Sequence, residues 1–256
     1  MNSKSLTFED MPFSRLVKES EDLAQLRREY ASLSDNERRH AADFQYNASI
    51  ASEIFNKAIG QADDENTPWP GAVTALAIDP KYAPALLTVG SFEYLYGRID
   101  EAMAHFLALT TLPETTEDIV EIVDQAGDFL IDNQDYENAV LLYSAGSGEY
   151  PSIPEYRNGL SYCFGKLGRL EEAIEQVRYA VNLEPDNHTY LTDLGWTLVE
   201  AKCFDEAQAV LKRAVAMSPP DYELARENLA ELHRRMRGSP NKQSTSDQNL
   251  ETKKCT

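Results

Sequence analysis

Long hydrophobic runs are missing from this 256-residue chain. A membrane-spanning helix needs roughly eighteen or more consecutive apolar residues, and no such run occurs, so no transmembrane segment is expected. The opening stretch MNSKSLTFEDMP has no apolar centre of the kind that marks a secretory signal. Positive charge is scarce: 24 Lys and Arg stand against 43 Asp and Glu, a net charge of −19. That speaks against nucleic acid as a partner, because such binding requires clustered cations that displace counterions. It equally opposes docking on anionic lipid. Cysteine is scarce too. Cys163, Cys203 and Cys255 are far apart and form no CxxC pair, which predicts unpaired thiols in a reducing, cytoplasmic setting. Catalytic signatures are also lacking. There is no phosphate-cradling glycine loop, no GxGxxG, no HExxH and no GxSxG. His40, His105, His188 and His233 are isolated from one another and from any cysteine at ligand spacing. The expectation is a non-enzyme without cofactor or metal.

What the chain does have is a period. Ala139, Ala173 and Ala207 are thirty-four residues apart, as are Pro151, Pro185 and Pro219, and as are Gly127, Ser161 and Gly195. Leu130, Phe164 and Leu198 keep the same step. An upstream copy repeats the pattern more loosely through Gly90, Gly97, Ala102, Phe106 and Pro113, with Glu93 where a bulky residue is expected. A three-residue insertion around PETTED separates it from the next copy, and further upstream only Ala75 and Pro80 still match. Read from Leu191, the last copy runs Leu-x₂-Leu-Gly-x₂-Leu, then Ala207-x₃-Leu211-x₂-Ala214, then Pro219. This resembles the tetratricopeptide repeat pattern, with Leu in place of aromatic residues. The resemblance implies an all-α fold: an α-solenoid, a right-handed superhelix of stacked antiparallel helix pairs. Small residues would sit where helix backbones approach, bulky ones would fill the seam, and Pro would stop each second helix.

The expected organisation follows this register. Residues 1–35 form a tail and an amphipathic helix, and 36–82 a divergent first pair. Four repeats span 83–119, 120–153, 154–187 and 188–220. Residues 221–237 form a capping helix, and 238–256 a disordered tail. The Pro12–Leu33 helix, with its heptad-like leucines, is read as a cap on the first repeat, as a homodimer contact or as a partner-binding helix. The Arg234, Arg235 and Arg237 cluster is read as complementing the helix dipole.

Charge is distributed unevenly. Thirteen acids and no Lys or Arg lie between Arg98 and Arg157. Within Val120–Asp132, the residues Glu121, Asp124, Asp128 and Asp132 are spaced three, four and four apart, which puts them on one helical face. Charge runs are usually solvated faces, and acids in a helix's first turn are favoured by its dipole. Asp128 and Asp132 sit toward the other end, where the dipole opposes them, and like charges four apart cost about 0.2–0.5 kcal/mol per pair. The family resemblance implies that this face of each first helix lines a concave groove. Carried over position by position, the peptide-binding residues are Tyr94, Glu121, Asp124, Asp128, Asp132, Asn158, Tyr162, Thr192 and Trp196. Related repeats that grip a terminal carboxylate use cations there. Asp124 and Thr192 occupy two such positions, so no carboxylate clamp is expected. The predicted function is a protein-interaction scaffold, adaptor or co-chaperone that binds a basic or amphipathic peptide segment. An escort chaperone for a secreted or effector protein and a regulator that binds a small molecule are the alternatives.

Overall fold

The computed structural model describes residues 69–238, and every regular element among them is an α-helix. In chain order these are α1 (Trp69–Ile78), α2 (Ala83–Leu95), α3 (Ile99–Leu109), α4 (Ile119–Asp132) and α5 (Tyr136–Glu149). They continue with α6 (Pro154–Lys166), α7 (Leu170–Leu183), α8 (His188–Glu200), α9 (Phe204–Met217) and α10 (Leu224–Gly238). The predicted Pro12–Leu33 helix, the start of the 36–82 pair, the Trp69 side chain and the tail beyond Gly238 lie outside the described residues.

The turn within each pair repeats the same geometry. Gly97, Gln134, Gly168 and Lys202 have φ of 78°, 59°, 74° and 63°. The next amide reaches back five residues each time: Arg98 to Glu93 and Asp135 to Leu130 at 2.9 Å, Arg169 to Phe164 at 2.9 Å, Cys203 to Leu198 at 2.8 Å. This is the closure that ends a helix on a left-handed residue. Helices joined by so short a turn and packed along their length run antiparallel. Between pairs, Pro80, Pro151, Pro185 and Pro219 each stand two residues beyond a helix end, at α1, α5, α7 and α9. Pro154 opens α6 in its first turn, where a missing N–H costs nothing. The PETTED insertion forms the link between α3 and α4 and contains Asp118 at φ 54°. Helix α4 begins at Ile119, so Glu117 and Asp118 precede it and Glu121 is the acid in its first turn.

The chain divides into two compact units, residues 1–129 and 130–256. In the first, α1 packs on α2 around Ala72, Val73, Ala75, Ala85 and Val89. Helix α2 packs on α3 so closely that a Cβ on Gly90 would meet the Phe106 ring at 2.6 Å. Phe129 sets its ring edge-on to Tyr94 and Phe106, at centroid distances of 5.4 and 5.9 Å.

In the second unit, each helix from α5 to α10 packs on the next, an all-α solenoid of helix pairs. The small positions lie at the close approaches. A Cβ on Gly195 would meet Leu211 at 2.5 Å, and one on Gly159 would meet Tyr143 at 2.6 Å. Helix α10 closes the stack by placing Leu232 against Leu198 and Leu211, and Ala225 against Leu191 and Ala214. Cys163 is buried.

Candidate functional site

The acidic row is built by α4. Ile119, Ile122, Val123, Ala126 and Leu130 are buried on one side of this helix, and that burial turns the acids away from the core. Glu121, Asp128 and Asp132 are exposed, and Asp124 is half-buried. Glu121 accepts a hydrogen bond from Gln125 Nε2 at 3.1 Å. Asp124 and Asp128 are each engaged in an interaction of their own. The row is therefore not four bare carboxylates. Tyr94, on α2, is half-buried with its ring against Phe129.

The second unit carries a different surface, formed by the first helices α6 and α8. Asn158 Nδ2 donates to Asp193 Oδ2 at 2.9 Å, a bond that ties one repeat's first helix to the next. Asn158 Oδ1 is buried without a donor. Burial pushes the Asp193 carboxyl above the usual aspartate range, and the Asn158 amide holds it down only in part. Tyr162 lies one turn beyond Asn158 and is 47% exposed, with the Lys166 ammonium 5.0 Å from its ring centre. Trp196 lies three residues beyond Asp193 and is half-buried.

Thr192 does not belong to this surface. It is 0% exposed, and its hydroxyl donates to the His188 carbonyl at 2.6 Å. Position counting put it in the groove. The rotation of α8, fixed by the packing of Leu191, Leu194 and Leu198, buries it and brings Asp193 round to Asn158. Sequence reasoning missed Asp193, although it stands thirty-five residues from Asn158, one more than the repeat step.

The arginines of α10 also do more than the dipole requires. Arg235 bonds Glu200 Oε1 on α8 at 2.9 Å and Glu231 Oε1 on its own helix at 2.9 Å. Its guanidinium lies 5.0 Å from the Trp196 ring centre, so the cap covers part of the indole. Arg234 pairs with Glu231.

Among the described residues, the second unit carries surface cavities of about 540 Å³ at the Glu184–Thr189 turn and about 470 Å³ along α7 beside Arg178 and Tyr179. Neither takes in Asn158, Tyr162 or Trp196. Among the described residues no group of three His, Cys, Asp or Glu is placed to hold a metal ion, and no helix is long and apolar enough to cross a membrane.

Residues 125–188 match the family described as Tetratricopeptide repeat. Over 105 residues the chain is 32% identical to sperm-associated antigen 1 of Rattus norvegicus, covering 41% of this chain and 12% of that protein. Over 132 residues it is 28% identical to the TPR repeat-containing thioredoxin TTL4 of Arabidopsis thaliana, covering 50% of this chain and 19% of the relative. The matches thus span less than a fifth of either curated relative. The crystal structure of YrrB, a TPR protein with an unusual peptide-binding site, superposes with a TM-score of 0.50 at 19% identity, over 72% of this chain and 91% of that one. That likeness concerns the fold. With its thirty-four-residue register, its helix pairs and the match over residues 125–188, this chain contains a tetratricopeptide repeat region.

Proposed function

We propose that this chain is a protein-interaction scaffold or adaptor whose first-helix faces bind a basic or amphipathic peptide segment of a partner. The observation that carries the reading is Tyr162, an aromatic side chain 47% exposed on a helix whose neighbouring Ser161, Cys163 and Phe164 are buried. A large ring held in water one helical turn from the Asn158–Asp193 bridge gives a peptide both apolar area and polar anchors. The match of residues 125–188 to the tetratricopeptide repeat supports the same reading. On α4, the row of Glu121, Asp124, Asp128 and Asp132 contributes a negative field that favours basic segments, whether or not individual acids already have partners. Tyr94 would add an aromatic edge on α2 in the first unit. The proposed activity is binding and not catalysis.

The test is an array of amphipathic twelve-residue peptides in basic and charge-reversed acidic versions, probed with the full chain at low and raised salt. Basic peptides should be retained at low salt and weakened by salt, and by Tyr162→Ser or Asp132→Lys. Equal retention of basic and acidic versions, or none of either, would sink the reading.

A further inference from the structure

The bridge between Asn158 and Asp193 is short of positive charge. Asp193 is desolvated enough to be pushed toward its protonated form, yet among the described residues its side chain bonds only the Asn158 amide, and no Lys or Arg is paired with it. A half-buried carboxylate with a single neutral donor is unusual, because buried charges are normally paired. The cations at the two flanking aromatic residues are engaged elsewhere: Lys166 lies over Tyr162, and Arg235, over Trp196, bonds Glu200 and Glu231. Asn158 cannot supply the missing charge. Its Nδ2 already donates to Asp193, and its Oδ1 is itself a buried acceptor without a donor. The helix register puts Tyr162 four residues beyond Asn158 and Trp196 three beyond Asp193, so aromatic side chains share the faces of both bridging residues. An acceptor-rich, donor-poor pair with aromatic neighbours is the chemistry that holds a guanidinium or ammonium group.

We infer that Asp193, held by Asn158, is the acceptor for one Arg or Lys side chain of the bound peptide, between Tyr162 and Trp196. This rests on the peptide-binding reading above and names the group that sets its specificity. The cation completes an electrostatic partnership the fold leaves open, so the carboxylate costs stability in the free chain and contributes affinity in the complex.

The experiment uses the full chain and peptides that the wild-type protein retains from the array. Each is resynthesised with every Arg in turn replaced by citrulline and every Lys by acetyl-lysine, which keep shape and remove charge. Affinities are measured for wild type, Asp193→Asn and the control Asp205→Asn, an exposed acid in the first turn of α9. Asn at 193 still accepts from Asn158, so the fold is kept, and a thermal melt no lower than wild type checks this. One neutralised cation should weaken wild-type binding roughly ten- to a hundredfold and leave Asp193→Asn, already weakened to that level, unaffected. Asp205→Asn should bind as wild type. If Asp193→Asn binds as tightly as wild type, or its loss is independent of every peptide cation, the inference fails while the scaffold reading stands. If the array yields no peptide at all, both fail.

Discussion

Glu93 is 0% exposed in α2, and among the described residues its carboxylate is met by one cation, Arg98, the residue that caps the start of α3. It occupies the register position that Leu130, Phe164 and Leu198 fill in the following repeats. An ion pair has replaced a seam-filling side chain.

Burial is the larger influence on Glu93 and pushes its pKa up; Arg98 opposes this, and Glu101 adds to it. For an acid whose folded pKa is raised, the native state holds the proton more tightly than the unfolded chain. This group's contribution to stability is then greatest in acid and falls as pH rises from glutamate's ordinary range through the raised value. His105 acts in the opposite sense. Its pKa is lowered by burial and then by Arg98, so its contribution is lost as pH falls. Comparing wild type with Glu93→Gln isolates the glutamate. Urea unfolding across pH 4 to 8 should show the wild type losing ground to Glu93→Gln as pH rises, and a constant difference would be the contrary result. At pH 7, Arg98→Ala should cost about 3 kcal/mol by stranding the carboxylate, whereas Glu93→Leu with Arg98→Met should be near neutral or stabilising.

Gly195 and Gly165 should respond to the same substitution with opposite sign. A Cβ on Gly195 would lie 2.5 Å from Leu211 Cγ, while one on Gly165 would meet open space. Gly195→Ala should therefore destabilise by roughly 1–2 kcal/mol even after the helix-propensity gain. Gly165→Ala, on α6, should stabilise by up to about 1 kcal/mol. Adding Leu211→Ala to Gly195→Ala should cost less than the two single changes summed, because the clash is relieved. Strict additivity in chemical unfolding would contradict the close approach.

The intra-pair turns offer a third test. Gly168 and Lys202 occupy equivalent left-handed positions, at φ 74° and 63°. Nothing stands near a Cβ at Gly168, so its conformation alone sets the cost. Gly168→Ala should lose about 1 kcal/mol, and Lys202→Gly should gain a few tenths to 1 kcal/mol. Thermal melts of the two variants moving in the same direction would count against the shared turn.

Much of this architecture is legible in the repeat step, for a local reason. Gly195 and Leu211, or Gly90 and Phe106, recur because two helix axes must meet at that point, and only a small residue permits it. Pro151, Pro185 and Pro219 mark helix ends because they cannot extend the hydrogen-bond ladder. The site is less legible. Tyr162 is exposed and Thr192 is buried, although the repeat pattern assigns both to one face.

The sequence by itself determined the helix pairs, their turns and the sign of the surface charge, since each depends on spacing along one chain. Only the tertiary structure decided which polar groups meet. Asn158 finds Asp193, Arg235 finds Glu200 across from the cap, and Thr192 disappears into its own helix. A few tens of degrees of helix rotation exchange one neighbour for the next around the axis. That rotation is set by the packing of Leu191, Leu194 and Leu198 against the helices around them, which no residue spacing records.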